Sequence, residues 1–421
     1  MFSDSKGKIY DHPHLKLAGR SGNQYLRPEP SELVPLPKGS QLFILPGRVP
    51  VGWDEKVEAF VPMEGVKGPR GASPHAVAAF LPPGYVRTLL PATELRENAP
   101  ILPLWAYSAV GWSAGKFWAT GILIDPNPHW DPKYFGNDRL LQRKVGVSLK
   151  KSPKNRLLKQ LARCALEYHC FAAKNVFFQR WECPLPTSPT CNASCLGCIS
   201  LQPSECCPAS MERIEFVPTP EEVAEVAVPH LKEAEDAIVS FGQGCEGEPL
   251  LQWRLLERAI RIFREETDRG TINLNTNGSY PERVRRLCEA GLDSLRVTLN
   301  SPNPKSYHHY HKPRGYRFEK VVESLLVAKE KGIYTAINLL VFPGFTDREE
   351  ELEGLIQLVR KTDLDLIQLR NLNIDPDLYL RAMGEGTGIG IPKMVKVLKR
   401  EFPRLRFGYF NRTKERFDTP P

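Results

Sequence analysis

The sequence contains no uninterrupted apolar run long enough to cross a membrane. Its longest apolar stretch, residues 101–124, is broken by Lys116 and interspersed with serine and glycine, whereas a spanning helix needs about 20 predominantly apolar residues. Residues 1–16 are mostly polar and have no apolar core of the signal-peptide kind. We therefore expect a cytoplasmic protein without a membrane partner, and we predict a buried, tryptophan-rich hairpin for residues 101–124.

Cysteine is absent from both ends of the chain. All ten cysteines lie between Cys164 and Cys288, in a sequence of 421 residues. A secreted disulfide scaffold would distribute its cysteines through a much shorter chain. The distribution instead favours a reducing compartment and metal chemistry, and the length allows two domains.

Acidic residues are missing between Arg139 and Arg163, a segment with nine basic residues. The default interpretation is a helix with a solvated basic face, and the alternative is a face that binds phosphate or nucleic acid. The net charge of +8 adds only a mild preference for acidic partners.

Three regions differ in their patterns. Residues 1–135 are rich in proline, glycine and aromatics, with short β-like runs, which predicts a mostly-β accessory domain of unknown function. Residues 136–174 are predicted to be a basic helical linker, helical over 154–173. Residues 175–421 alternate strand-like and helix-like segments, which predicts an α/β fold with a parallel sheet.

The alternation in the third region contains six strand–helix units, short of a full eight-fold barrel. The predicted strands are 175–182, 236–241, 271–275, 294–299, 335–342 and 364–369. The predicted helices are 220–235, 250–268, 281–290, 318–331 and 347–361. A last helix at 392–401 and a strand at 404–409 are expected to close one edge.

Cys191, Cys195 and Cys198 form a C-x3-C-x2-C motif directly after the first predicted strand. Three thiols in one tight loop can bind three irons of a [4Fe–4S] cube and leave the fourth iron without a protein ligand, whereas four-cysteine clusters close that position. An open iron can bind and activate a substrate. The alternatives are three unrelated thiols or structural zinc, which normally needs four ligands in two pairs.

This spacing resembles the signature of the radical SAM superfamily. In that family the open iron chelates S-adenosylmethionine (SAM), and reductive cleavage yields a 5′-deoxyadenosyl radical that abstracts hydrogen from a substrate. The resemblance implies a partial (β/α)6 TIM-like barrel for residues 175–421, with a [4Fe–4S] cluster and SAM as cofactors. It also implies an electron donor of the flavodoxin or ferredoxin kind.

The end of the second predicted strand carries Gly244, Gly247, Glu248 and Pro249. They resemble the family's Gly-Gly-Glu-Pro motif, whose backbone carbonyls accept hydrogen bonds from the SAM ammonium. Glycine permits the close approach of the main chain that such contacts need. Without the cysteine motif upstream, the segment would be only a glycine-rich turn before a helix.

The ends of the third and fourth strands carry polar residues. Asn275, Thr276 and Asn277 are similar to a pattern that lies beside SAM in many family members, although Asn-Gly also favours a simple turn. Asn300 and Ser301 match the polar strand end that binds the ribose hydroxyls in the family.

The last two strand ends are less specific. Val341 belongs to a segment that resembles the family's apolar shelf under adenine, and Arg370, Asn371 and Asn373 are candidates at the substrate side. Gly197 stands where many members have an aromatic residue before the third cysteine. The departure suggests that Leu196, Val341 or Phe342 supplies the apolar surface.

Further cysteines and histidines leave alternatives open. Cys245 interrupts the glycine-rich turn, where its thiol could donate a hydrogen atom, form an adduct or simply fill space. Cys183, Cys206 and Cys207 could support a second cluster or remain free thiols. Residues 307–315 contain three histidines and are predicted to form a solvated or substrate-side loop rather than a metal site.

These patterns together predict a radical SAM enzyme acting on a small molecule or cofactor precursor. The first alternative is radical modification of RNA or of a protein, suggested by the basic segment and the unassigned N-terminal region. The second alternative is a non-catalytic iron–sulfur regulatory or scaffold protein, which would leave the SAM-facing turns without a role.

Overall fold

A computed structural model describes residues 1–4, 6–63, 74–202 and 209–419. Cys206 and Cys207, the cysteines proposed for a second cluster together with Cys183, lie outside the described residues. No helix in these described ranges is long and apolar enough to cross a membrane.

The N-terminal region is built from short antiparallel strands, as the proline- and glycine-rich sequence predicts. A six-stranded sheet pairs β11–β15–β14–β10–β7, with β6 on β15, and smaller sheets pair β12–β4–β5, β13–β8–β3 with β9 on β8, and β1–β2. The strands are β1 Phe2–Ser3, β2 Ile9–Tyr10, β3 Leu15–Leu17, β4 Gly19–Ser21, β5 Gln24–Leu26, β6 Leu33–Pro35, β7 Gln41–Leu45, β8 Arg48–Asp54, β9 Ala59–Pro62, β10 Ala76–Phe80, β11 Tyr85–Arg87, β12 Leu90–Pro91, β13 Thr93–Leu95, β14 Ser108–Ser113 and β15 Lys116–Leu123.

The hairpin predicted within residues 101–124 is present as β14 and β15. Its burial is incomplete, because the side chain of Trp112 is 41% exposed near the turn. The apolar stretch is thus a hairpin with one covered and one partly open face.

Three helices connect the two regions: α1 Asp138–Lys151, α2 Arg156–Leu166 and α3 Phe171–Phe178. The continuous helix predicted for 154–173 is therefore wrong, and so is the first half of the strand predicted for 175–182. Residues 171–178 are largely apolar, and periodicity alone cannot tell a short buried helix from a strand. Gln179 takes a left-handed conformation with φ of 55° and ends α3.

The C-terminal region is a curled sheet of seven parallel strands in chain order, β16 to β22. The strands are β16 Arg180–Pro184, β17 Glu235–Phe241, β18 Thr271–Thr276, β19 Ser294–Leu299, β20 Tyr334–Val341, β21 Leu366–Asn371 and β22 Arg406–Gly408. The helices are α4 Pro220–Glu233, α5 Trp253–Glu266, α6 Pro281–Ala290, α7 Pro304–His311, α8 Phe318–Glu330, α9 Glu349–Thr362, α10 Pro376–Met383 and α11 Ile391–Glu401. The predicted partial barrel is confirmed, and the predicted edge strand is its seventh parallel strand.

Side chains alternate between the two faces of this sheet, as they must in β-strands. The helix-facing set is apolar and belongs to one large core: Leu274, Leu295, Val297, Leu299, Ile337, Leu339, Val341, Ile367 and Leu369. The opposite, lumen-facing set is largely polar and includes Asn273, Arg296, Asn338, Gln368 and Arg370. The lumen is therefore a polar space rather than an apolar core.

The N-terminal region lies against the carboxyl ends of β20 and β21. Gly22 donates its N–H to the carbonyl of Pro343 at 3.0 Å, and a Cβ added at Gly344 would lie 1.7 Å from the Gly22 nitrogen. Arg87 is fully buried, and its guanidinium donates to the carbonyl of Leu372 at 2.9 Å. The two regions therefore meet backbone to backbone.

Candidate functional site

The cysteine loop leaves the carboxyl end of β16 and packs on α7. Ser194 N–H donates to the carbonyl of His311 at 2.9 Å, and Leu196 N–H donates to that of Tyr310 at 3.0 Å. The loop predicted for 307–315 is thus wrong over its first half, where Asn303 caps the first turn of α7 and Pro304 begins it. This helix is a main support of the cysteine loop.

The three cysteines of the motif are partly buried. Burial first, and then nearby charges including Cys198, raise the pKa of Cys191 to about 11 and raise that of Cys195 strongly. The Cys195 sulfur lies 3.2 Å from His311 Nδ1, and the Cys198 sulfur lies 3.5 Å from Arg213 Nη2. Cationic iron would stabilise thiolates that burial otherwise disfavours.

Across the described residues, no three His, Cys, Asp or Glu side chains converge closely enough to hold a single metal ion. A four-iron cube differs from one ion because each thiolate binds a different iron. Three thiols on one loop, with no fourth converging ligand among the residues that the structure describes, therefore fit a cluster with an open corner better than they fit structural zinc.

The glycine-rich turn after β17 is packed directly on the cysteine loop. Gly247 N–H donates to the carbonyl of Ser188 at 2.6 Å, and Glu248 N–H donates to that of Thr190 at 2.8 Å. A Cβ at Gly247 would lie 1.9 Å from the Thr190 oxygen. Only glycine permits this approach, so the turn and the loop form one surface. Gly244 faces Ile199, and its added Cβ would lie 2.7 Å from that side chain.

Glu246 holds this turn in place and was not singled out from the sequence. Its buried carboxylate accepts backbone N–H bonds from Thr187, Ser188, Gly242 and Gln243 at 2.6–3.0 Å. Burial raises the pKa of Glu246 to about 7, while these bonds oppose the rise. The position of Glu246 within a glycine-rich motif was only a weak indication of this role, because folding is what brings its partners close to it.

Glu248 joins the glycine-rich turn to the end of β18. Its carboxylate accepts the Thr276 hydroxyl at 2.5 Å, Leu250 N–H at 2.9 Å and Asn277 N–H at 2.8 Å. Because its carboxylate oxygens accept hydrogen bonds from within the protein, Glu248 has a structural role here. Pro249 begins the buried turn that follows. The predicted SAM contacts of this motif remain predictions.

The Asn275–Asn277 segment reaches the cysteine loop through its third residue. The Asn277 amide donates to Asn192 Oδ1 at 2.7 Å, and the Asn192 amide donates to the Ser279 hydroxyl at 3.0 Å. Asn275 instead donates to the carbonyl of Phe241 at 2.8 Å. The ends of β16, β17 and β18 are thereby held in one hydrogen-bonded unit.

The end of β19 is buried beneath α9 and α10. The Ser301 hydroxyl donates to Glu351 at 2.6 Å, and burial raises the pKa of Glu351 to about 7. The fully buried amide of Asn300 lies beside the Tyr379 hydroxyl. Both residues lie at the same sheet edge as the cysteine loop.

Val341 was predicted to belong to an apolar shelf near the cysteine loop. It packs instead in the helix-facing core. Its neighbour Leu340 faces the other way, towards the smaller cluster of Phe342 and Tyr310 against which Cys195 and Leu196 also pack. A Cβ at Gly197 would lie 2.9 Å from the Tyr310 hydroxyl. An aromatic ring is thus present here, supplied by α7 instead of the cysteine motif.

Cys245 points away from the lumen. Its thiol forms a hydrogen bond with Cys164 on α2, and its carbonyl accepts Ile214 N–H at 2.8 Å. This placement favours the packing interpretation over hydrogen-atom donation. Cys183 lies in the helix-facing core, and burial raises the pKa of its thiol.

Comparison with known proteins identifies the same region of the chain. Residues 185–358 match the model of the radical SAM superfamily. The chain is 34% identical over 132 residues to a GTP 3′,8-cyclase of Aquifex aeolicus, covering 31% of this chain and 39% of that protein. It is 28% identical over 194 residues to a "Probable GTP 3′,8-cyclase" of Methanosarcina acetivorans, covering 45% and 54%. The matched part of the chain therefore covers about two fifths of the length of the first curated relative and just over half of the length of the second.

Solved structures superpose on this chain only loosely. The hydrogenase maturase HydG from Carboxydothermus hydrogenoformans has a TM-score of 0.40 and 17% identity, with 64% of this chain and 69% of that chain covered. Methylornithine synthase PylB has a TM-score of 0.39 and 17% identity, with 64% of this chain and 77% of that chain covered. The family match thus shows a radical SAM domain at residues 185–358 of this chain.

Proposed function

We propose that this protein is a radical SAM enzyme that abstracts hydrogen from a small molecule or cofactor precursor. The observation that carries the proposal is the junction of three strand ends. The cysteine loop, the glycine-rich turn at Gly247 and the turn at Asn277 are hydrogen-bonded into one surface at the carboxyl edge of the sheet. Parallel α/β folds place their sites at this edge.

Cys191, Cys195 and Cys198 would hold the [4Fe–4S] cluster, and the turn from Gly244 to Pro249 would receive the SAM amino group. When bound, the reduced cluster supplies the electron that cleaves SAM to a 5′-deoxyadenosyl radical. The chain's own residues position and enclose this chemistry. Glu246 and Glu248 fix the turn, and Asn300 and Ser301 offer polar groups at the next strand end.

The apolar cluster beside Cys195 supplies a water-excluding wall for this site. Tyr310 and Phe342 are almost fully buried there, and Leu196 and Leu340 pack against them. A radical needs such shielding, because stray side chains with weaker C–H or S–H bonds would quench it. A low-potential donor of the flavodoxin or ferredoxin kind would deliver the electron, since iron–sulfur potentials reach about −700 mV.

The small-molecule assignment rests on the lumen and on the named activity of the relatives, a GTP cyclisation. The RNA alternative rests on the basic segment 139–163, and part of that charge is internally paired. Arg156 forms an ion pair with Glu222 at 2.7 Å, and Arg163 forms one with Glu212 at 2.8 Å. RNA affinity that fell steeply with salt would revive the alternative.

The decisive experiment is anaerobic reconstitution with iron and sulfide, followed by dithionite and SAM. We expect methionine and 5′-deoxyadenosine in the wild type and neither in Cys195→Ala. The matched control is Cys288→Ala, whose thiol lies on α6 away from the loop, and it should retain both cluster and cleavage. A wild-type protein that holds the cluster without forming 5′-deoxyadenosine would instead support the regulatory or scaffold alternative.

A further inference from the structure

Four side chains on the inner face of the curled sheet are partly exposed, and the space that they line is called the chamber here. Thr298, Asn338, Leu340 and Arg370 are partly exposed, whereas their helix-facing neighbours on the same strands are buried. Thr298 is paired with Asn338 across β19 and β20, and Leu340 with Arg370 across β20 and β21. The exposed side chains therefore form one continuous wall on the inner face, in the carboxyl half of the strands.

A polar floor closes this chamber below. Arg296 donates to Gln368 at 2.5 Å and to Asn411 at 3.3 Å, and the Asn411 amide donates to Glu182 at 2.8 Å. Asn411 belongs to the C-terminal segment that crosses beneath the sheet, where Lys414 N–H also bonds Thr271 at the start of β18. The chamber therefore opens towards the carboxyl edge, which carries the cysteine loop.

The charge of the chamber is predominantly positive. In the described ranges, no carboxylate lies within 4.0 Å of the guanidinium of Arg370 or Arg296. The Arg370 guanidinium lies 4.2 Å from the centre of the Tyr409 ring, and Arg296 Nε is buried without a hydrogen-bond partner. Burial, followed by the charge of Arg370, lowers the pKa of Arg296 to about 9, so Arg296 still carries its charge at neutral pH.

Glu182 is the acid that faces this group, and it offsets the charge only in part. Its Oε1 already accepts the Ser240 hydroxyl at 2.7 Å and the Asn411 amide at 2.8 Å. The Arg370 guanidinium instead lies over the Tyr409 ring, 4.2 Å from its centre. A half-exposed guanidinium over a ring keeps its donors directed into open space.

We propose that the chamber binds its small-molecule substrate through an anionic group, carboxylate or phosphate, held by Arg370, with Arg296 adding a second positive charge from the floor. Arginine matches both groups because its planar fork donates two parallel hydrogen bonds. Leu340 joins the chamber wall to the apolar cluster that contacts Cys195, so an anchored substrate reaches towards the cysteine loop. The substrate role rests on the proposed function, whereas anion binding does not.

The test is isothermal titration calorimetry on the reconstituted, SAM-loaded protein with two probes, inorganic pyrophosphate and succinate. We expect at least one probe to bind the wild type, with a Kd at least about tenfold weaker in Arg370→Gln. Arg370→Lys should recover part of the affinity, because it keeps the charge and loses the fork. Tight binding of pyrophosphate alone identifies a phosphate site, and of succinate alone a carboxylate site.

The control is Arg143→Gln on the exposed basic face of α1, which should leave the affinity unchanged. Equal affinities of wild type and Arg370→Gln, loss of affinity in Arg143→Gln alone, or binding of neither probe would overturn the proposal. Cleavage of SAM by the wild type is measured separately. An Arg370-dependent anion site without SAM cleavage would contradict the proposed function alone, and cleavage without such a site would contradict only this inference.

Discussion

The amide of Asn277 donates to the side-chain oxygen of Asn192 at 2.7 Å, and this contact helps to join the end of β18 to the cysteine loop. Both side chains are over 90% buried. Burial makes this contact important for stability, because a buried amide that loses its partner cannot form a hydrogen bond with water instead.

Replacing Asn277 with Ala should loosen the loop without removing a thiol. We expect a loss of about 1–3 kcal/mol in the free energy of unfolding and a clear drop in iron bound per protein. Urea unfolding measures the first effect and iron analysis the second. Asn137→Ala, which removes only the cap of α1, should cost about 1 kcal/mol and leave the iron content unchanged. Equal iron loading in the two variants would contradict the bracing role.

Gly247→Ala should disrupt the same surface sterically. The new Cβ would lie 1.9 Å from the Thr190 oxygen, so the backbone must shift, at a cost of about 1–3 kcal/mol. We expect poor cluster incorporation, seen as a low content of iron and sulfide per protein after reconstitution.

The matched control for that substitution is Gly146→Ala in α1, where an added Cβ meets nothing within 4 Å. Alanine is the better helix former by about 1 kcal/mol, so this variant should be slightly more stable and load iron normally. A Gly247→Ala protein with normal cluster content would show that the turn and the loop can separate.

The ion pair between Arg156 and Glu222 should make stability depend on pH in the acid range. Hydrogen bonds from Arg156 lower the pKa of Glu222 to about 2, from 4.5. A depressed carboxyl pKa gives stability that is complete above pH 4.5 and lost as the pH falls towards 2. Because Arg156 is half exposed, we expect only about 1 kcal/mol.

Urea unfolding of wild type and Glu222→Gln at pH 7, 4 and 2.5 measures this contribution. The difference in the free energy of unfolding should shrink as the pH falls. A difference that stays constant with pH would mean that the hydrogen bonds matter and the charge does not.

Asp375 should be essential for attaching the N-terminal sheets to the barrel. Its buried carboxylate accepts Arg48 Nη2 at 2.6 Å, Leu102 N–H at 2.7 Å and two N–H groups of α10. Asp375→Asn would leave the buried Arg48 guanidinium with only the more distant carboxylate of Asp377, at 3.6 Å, at a cost of about 3 kcal/mol. Limited proteolysis should then release fragments from the first 135 residues.

Asp363→Asn is the corresponding control, because its side chain is 88% exposed and asparagine also tolerates the left-handed conformation found there. Its proteolysis pattern and its free energy of unfolding should match the wild type. Equal protease resistance of Asp375→Asn would show that other contacts suffice to hold the sheets.

The sequence predicted the parts of this fold whose signals are local. Alternating strand and helix patterns located the sheet, and β19 and α6 were predicted at their observed bounds. The radical SAM class is confirmed by the family match. The cluster ligands, the SAM contacts and the electron donor remain predictions.

The remaining features depend on contacts between residues far apart in the chain. His311 lies 3.2 Å from the Cys195 sulfur across 116 residues of sequence, and a histidine-rich segment after a proline gave no sign of this. Tyr310 supplies an aromatic ring where the cysteine motif has Gly197, a replacement that only the folded chain reveals. Val341 was assigned to the wrong face because a one-residue step reverses the direction of a strand side chain.

The backbone contact between Gly22 and Gly344 has a consequence for how the chain can be divided. Because neither residue has a side chain, the N-terminal sheets and the carboxyl ends of the barrel strands are in direct backbone contact. We expect a fragment starting at residue 136 to expose Phe342 and Leu372 to solvent and to precipitate. We therefore expect that the N-terminal strands cannot be separated from the barrel. Transferring them to another barrel would require glycine at both contact positions.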